Sequence, residues 1–287
     1  MRGEGPLRYP GAKSNLAAYV AEFIETNCLV GIAFCEPFAG SAAVSRHLLS
    51  KNLVDHAYLY EIDPGLYSFW KSAFDNTDEL IDRVYSTKAT LDEFDRQTAV
   101  LSDRGESNFR TLDKGFAFLF LNRTSYSGIV GAGPIGGRSQ ASDYPIDCRY
   151  NARALASQIR ALSLIGPRVT VSNSDGIAAI SEAGPNIFIY ADPPYFSNGK
   201  KFYRDYFKVF DHYRLRKGLI NSRAHWLLSY DYDHKVEYLY RNIPSSIISL
   251  YHSARAAGAK KELLVSPLGF NRRVAETVMD LPLVSLA

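Results

Sequence analysis

The feature that most constrains this chain is a recurrence: short apolar runs that each end in an acid. Residues 32–35 run into Glu36, "HAYLYEID" closes in Glu61 and Asp63, "RVTVSNSDG" in Asp175, "NIFIYADPPY" in Asp192 and "AHWLLSYDYD" in Asp231. Between the first two lies "EPFAGSAAV", a glycine-bearing turn over 36–40 followed by helical spacing over 41–49. Strand, glycine turn, helix, strand with a terminal acid is the opening of a doubly wound α/β sheet. Ahead of it, residues 14–27 carry apolar positions at helical spacing, with Ser14 placed as an N-cap.

The rhythm breaks over 66–165, which reads as mostly helical. Within it, "NRTSYSGIVGAGPIGGRSQASDYP" is rich in Gly, Ser, Pro and Asn and too long for an ordinary connection. An inserted subdomain is expected here, with 1–65 and 166–287 forming the sheet-bearing domain. "SSIISLYHSARAAG" and "KKELLVSP" read as a closing strand pair. A chain of 287 residues is long enough to bury a core for such a fold without staples.

A net charge of +3 permits a nucleic-acid partner, bound through a local basic surface, without demanding one. Cys28, Cys35 and Cys148 form no CxxC pair, and the six histidines show no metal-ligand spacing, so no metal is expected. His212 beside Asp211 reads as part of a capped helix start, and "DYDH" at 231–234 as a loop. The N-terminal "MRGEGPLRYPGAKSN" lacks the apolar stretch of a signal peptide, and no run reaches the ~20 residues that span a bilayer. The expectation is a soluble, cytoplasmic, reduced protein.

Ligands of open α/β sheets sit at the carboxyl ends of the strands. Gly40 precedes a helix N-terminus, which favours a negative group. No GxGxxG is present, so a pyrophosphate site is unsupported, whereas an amino-acid carboxylate would suit. An acid ending the second strand is the usual partner of ribose hydroxyls, with Glu61 the first candidate and Asp63 the second. The alternative for any one of these acids is a helix cap. At "ADPPY", Pro193 and Pro194 fix φ near −65° and carry no N–H. Asp192 and a neighbouring carbonyl then present two fixed acceptors beside the Tyr195 ring, a match for an aromatic amine. An ordinary proline turn ending a strand is the other reading.

Taken together, the motifs resemble the D12 class of DNA adenine-N6 methyltransferases, the Dam-type group, nearly end to end. "LRYPGAK" is similar to that family's aromatic-x-Gly-x-Lys motif, "EPFAGSAAV" to its S-adenosylmethionine loop, "YEID" to its ribose acid and "ADPPYF" to its catalytic tetrapeptide. "FDHYRL" and "KKELLVSP" resemble two weaker signatures. The resemblance implies a Rossmann-like methyltransferase sheet with a helical, hairpin-bearing target-recognition insertion. It implies S-adenosylmethionine bordered by Tyr9, Pro10, Gly11 and Lys13, lined by Pro37, Phe38, Ala39, Gly40 and Ser41, held by Glu61 with Ile62, and bordered by Asp175, Gly176 and Asp192. Asp192, Pro193, Pro194 and Tyr195 would hold a flipped adenine. The family loop usually reads FxGxG; here the second glycine is Ala42, from which a small loop adjustment is expected.

The implied acceptor is double-stranded DNA. Asn122, Arg123, Tyr126 and Arg138 of the insertion are candidates for base or phosphate contact. Lys200 and Lys201 after the catalytic turn, and Lys260 and Lys261 with Arg255 before the last strand, are candidates for phosphate contact. No membrane and no obligate protein partner are implied; a cognate restriction endonuclease in the same system is compatible. Cytosine N4, RNA and a silent DNA-binding regulator remain as rival readings. Intact Lys13, Gly40, Glu61 and Asp192 argue against the last.

Overall fold

A computed structural model describes residues 5–8, 14–103, 105–194, 207–250 and 260–270. Among them, seven strands form one sheet in the order β3-β2-β1-β4-β5-β7-β6. They are β1 (Ala33–Glu36), β2 (Ala57–Tyr60), β3 (Val169–Ser172), β4 (Ile187–Ala191), β5 (His225–Asp231), β6 (Ser245–Leu250) and β7 (Lys260–Val265). β1 to β5 are mutually parallel, and β7 runs antiparallel between β5 and β6. The strand order reverses between β1 and β4, which opens a crevice beyond their carboxyl ends. This is the expected doubly wound α/β architecture, with the last two strands as the closing pair.

Alternation along the strands assigns the two faces. Phe34, Phe188, Tyr190, Leu227 and Leu264 point to one side, where α1 (Ser14–Thr26) and α2 (Ala43–Ser50) cover them. Cys35, Ile189, Ala191, Trp226 and Leu228 point to the other, under α8 (Gly176–Glu182) and α9 (Val209–Asn221). Both faces are covered, which explains why the strands read as apolar runs instead of alternating with polar residues. A short helix, α10 (His234–Leu239), follows β5, so the stretch expected as a loop at 231–234 instead runs into a helix capped by Asp233.

Between β2 and β3 the chain forms α3 (Pro64–Asp75), α4 (Thr77–Ser86), α5 (Leu91–Ser102), α6 (Thr111–Thr124) and α7 (Ala152–Ser163). Phe69, Trp70, Phe116, Phe120, Leu155 and Ile159 share one buried cluster with Leu59 of β2. The insertion therefore packs into the sheet domain's own core. Gly115 of α6 lets it approach α3: a Cβ there would lie 2.4 Å from the Ser68 carbonyl oxygen. After α6, residues 124–135 fold back in a narrow hairpin-like loop. Tyr126 N–H donates to Gly133 O (2.9 Å), Ile135 N–H to Thr124 O (2.8 Å), and Ser125 bridges Pro134 antiparallel.

Candidate active site at the strand carboxyl ends

The acids that end the strands divide by what they hold. Asp63 caps α3, accepting from Gly65 N–H (2.8 Å) and Leu66 N–H (3.1 Å). Asp175 caps α8 through Ile177 N–H (2.9 Å) and pairs with Arg214 of α9 at 2.8 Å. Glu36 accepts from the first turn of α2, at Ser45 N–H (3.2 Å) and from the Ser45 hydroxyl. The helix-cap alternative is thus realised at three positions.

Glu61 does something else. It is 8% exposed, and its two oxygens accept from Gly40 N–H (3.1 Å) and Asp63 N–H (3.0 Å). The carboxylate is thereby tied to the glycine turn after β1, with lone pairs remaining on each oxygen. Burial pushes its pKa up to about 7. Ile62 beside it is 55% exposed, a large apolar side chain facing outward next to a buried acid. Of the two ribose candidates, Glu61 is the one whose carboxylate is not committed to a helix cap.

The turn after β1 is held from several directions. Ala39 N–H donates to Tyr60 O (3.0 Å), and the Trp70 indole of α3 donates to Gly40 O (3.0 Å). Pro37 is buried, and Phe38 meets Phe207 edge-on at 5.4 Å between centroids. Gly176 has no alternative: a Cβ there would sit 1.8 Å from the Pro37 carbonyl oxygen. Gly40 lies at φ 48° and Ala42 at φ 46°, both left-handed. Ala42 takes, with a side chain, a conformation that glycine reaches without steric cost. The missing glycine is therefore felt as backbone strain at Ala42.

Asp192 follows β4 at the switch point and is partly buried; Pro193 is buried and Pro194 partly so. The Ser229 hydroxyl donates to Asp192 Oδ1 at 3.2 Å, and Tyr190 OH lies 2.9 Å from Ser229 Oγ. Glu36 shares this sheet face. Its burial, and more weakly the nearby Asp192 charge, push its pKa up to about 8. Sequence reading did not single out Ser229, Tyr190 or the Glu36–Ser45 cap. What brings Ser229 to Tyr190 and Asp192 is the β4–β5 register, which no local motif encodes.

Tyr9, Pro10, Gly11, Lys13, Tyr195, Lys200, Lys201 and Arg255 lie outside the described residues, and the side chain of Lys260 is likewise not described. Lys261 is exposed on β7. In the insertion, Tyr126 is 69% exposed. Arg123 donates from Nε to Arg149 O (3.0 Å), and Arg138 makes a two-point pair with Asp95 at 2.7 and 2.8 Å. Asn122 requires a correction. It is 1% exposed, accepts from Arg8 N–H (2.7 Å) and donates to Arg8 O (2.7 Å) and Gly128 O (2.9 Å). Its amide ties the N-terminal segment to the hairpin-like loop and is not presented to DNA.

The residues present fit S-adenosylmethionine. A buried acid suits a vicinal diol, an outward-facing Ile62 suits a purine face, and a left-handed glycine turn leads into α2, whose N-cap residue Ala42 offers no side-chain cap. Among the described residues no cluster of metal-ligating side chains occurs, and no helix is long and apolar enough to cross a membrane.

Solved structures of low similarity include a conserved hypothetical protein of Streptococcus pyogenes (11% identity, 83% of this chain and 86% of that one, TM-score 0.31). A Listeria monocytogenes protein assigned to the class I S-adenosylmethionine-dependent methyltransferases gives 12% identity over 88% of this chain and 59% of its own, TM-score 0.39. An S-adenosylmethionine-dependent methyltransferase of Clostridium acetobutylicum gives 8%, 92%, 78% and 0.28. At these scores the likenesses carry no argument. No curated protein matches the sequence significantly. Residues 9–255, by contrast, match the D12 class N6 adenine-specific DNA methyltransferases. The chain belongs to that family, and is an S-adenosylmethionine-dependent methyltransferase acting on adenine N6 in DNA.

Proposed function

We propose that the enzyme methylates adenine at a specific site in duplex DNA, after rotating the base out of the stack into the Asp192–Tyr195 corner. The observation that carries this reading is the position of Asp192. It stands beyond β4 at the sheet's reversal point, next to β1, whose following turn is tied to Glu61. The proposed division of labour gives 1–65 and 166–287 to chemistry and 66–165 to target recognition.

Adenine N6 is a weak nucleophile because its lone pair is delocalised into the ring. It is also too weak an acid for a carboxylate to deprotonate beforehand. Bound S-adenosylmethionine supplies an electrophilic methyl group on a sulfonium. Asp192 and the Pro193 carbonyl accept the two N–H hydrogens, which favours a pyramidal nitrogen with its lone pair aimed outward. Positive charge grows on N6 as the N–C bond forms and the methyl's bond to sulfur breaks, its electron pair staying on sulfur as a neutral thioether, so the Asp192 interaction would strengthen in the transition state. One amino proton then leaves through Asp192 or water. Tyr195 stacks on the extruded base, a contact of about 1–3 kcal/mol.

The test is transfer of a tritium-labelled methyl group to unmethylated duplex DNA, single-stranded DNA and RNA, followed by nucleoside analysis. The expected product is N6-methyladenine, formed fastest in duplex DNA and confined to one sequence context. Label in N4-methylcytosine, or a preference for RNA, would overturn the reading. The same assay with a cognate endonuclease added checks whether the modified site blocks cleavage.

A further inference from the structure

We propose that Ser229, itself held by Tyr190, is a positioning residue for methyl transfer: it fixes the plane of the Asp192 carboxylate. The inference rests on the role given to Asp192 above. β4 and β5 are parallel with Ala191 opposite Leu228, so Asp192 stands opposite Ser229. Tyr190, Asp192 and Ser229 project to the same face, the one carrying Phe188, Leu227 and Leu264. Ser229 and Tyr190 are both completely buried. Two hydroxyls buried among phenylalanine and leucine side chains are costly unless each is hydrogen-bonded, and the partners they have lead to Asp192.

The direction of the chain follows from chemistry. An ionised carboxylate only accepts, so Ser229 must donate its hydrogen to Asp192 Oδ1 across 3.2 Å. Its oxygen is then free to accept from Tyr190 OH at 2.9 Å. Burial holds the Tyr190 phenol well above its ordinary pKa, so it keeps that proton. Pro193 and Pro194 stiffen the main chain of the corner, which leaves the Asp192 side-chain torsions as its soft coordinates. A hydrogen bond to one oxygen restrains the last of these. Loss of such preorganisation shows in the transition state more than in ground-state binding.

The experiment compares Ser229→Ala, Tyr190→Phe, the double variant and Asp192→Asn, using labelled S-adenosylmethionine and unmethylated plasmid DNA. Ser229→Ala should lower kcat about 10-fold while leaving KM for DNA and Kd for cofactor within about 2-fold. Tyr190→Phe should lose less, about 3-fold, and the double variant should be no worse than Ser229→Ala. Thermal unfolding separates this from loss of fold. Wild-type kcat in Ser229→Ala, losses that multiply in the double variant, or a loss confined to KM would each overturn the inference. If Asp192→Asn is inactive while Ser229→Ala is unimpaired, only the relay fails. If Asp192→Asn turns over normally, the reading of the corner itself fails.

Discussion

At the strand ends, Glu36 and Glu61 are buried and each is fixed by hydrogen bonds from a neighbouring turn or helix. In the insertion, Arg110, Arg138 and Arg160 are each more than half exposed and paired with exposed Glu79, Asp95 and Asp78. Both regions are rich in ionisable side chains, yet they hold them in opposite ways. A buried acid costs free energy that only a specific arrangement offsets, so its position carries information about chemistry. An exposed pair is screened and exchangeable. One region fixes its acids at set points; the other holds its charge in exchangeable surface pairs.

The largest effect should come from Asn122, a buried polar residue of the insertion that breaks this pattern. Asn122→Ala removes three hydrogen bonds that tie Arg8 and Gly128 to α6. The loss should be about 3 kcal/mol, a fall of roughly 6–12 °C in Tm. An unchanged melting point would place Asn122 with the exposed, exchangeable set. A second difference is pH dependence. The raised pKa of Glu36, about 8, means that the folded state holds a proton which the unfolded chain releases near 4.5. Its contribution to stability is complete below that lower value and is lost as pH rises through about 8. Wild type should therefore lose stability relative to Glu36→Gln between pH 5 and 8, on the order of 2 kcal/mol. Parallel pH profiles would show that the buried acid is not the titrating group.

Smaller effects test the exposed side. Asp95→Ala frees Arg138 and removes a negative charge, so DNA affinity should tighten by about 2- to 5-fold at low salt, while Arg138→Ala should reduce the salt slope by about 1. If Asp95→Ala leaves affinity and salt slope unchanged, Arg138 does not reach DNA. The smallest effect is expected at the turn. Ala42→Gly relieves a left-handed alanine and should stabilise the fold by about 0.5–1 kcal/mol. Destabilisation would show that the Ala42 methyl, 1% exposed, contributes more through packing than it costs in strain.

The sheet was legible because its strands are apolar runs with acids at one end, and both properties are local in sequence. The same locality put Glu61 and Asp192 just past the ends of β2 and β4, where the structure has them. Asn122 misled for the converse reason. An asparagine in a Gly-rich loop looks exposed, and only the return of the N-terminal segment past Gly128 buries it. Ser229 and Tyr190 were invisible because parallel pairing between β4 and β5 joins residues 39 positions apart.

The most direct measurement is single-turnover methyl transfer by Asp192→Ala at saturating DNA, with cofactor affinity determined on the same preparation. A rate reduced by at least 10² to 10³, with S-adenosylmethionine still bound, is the predicted result. A wild-type rate in that variant would contradict the account.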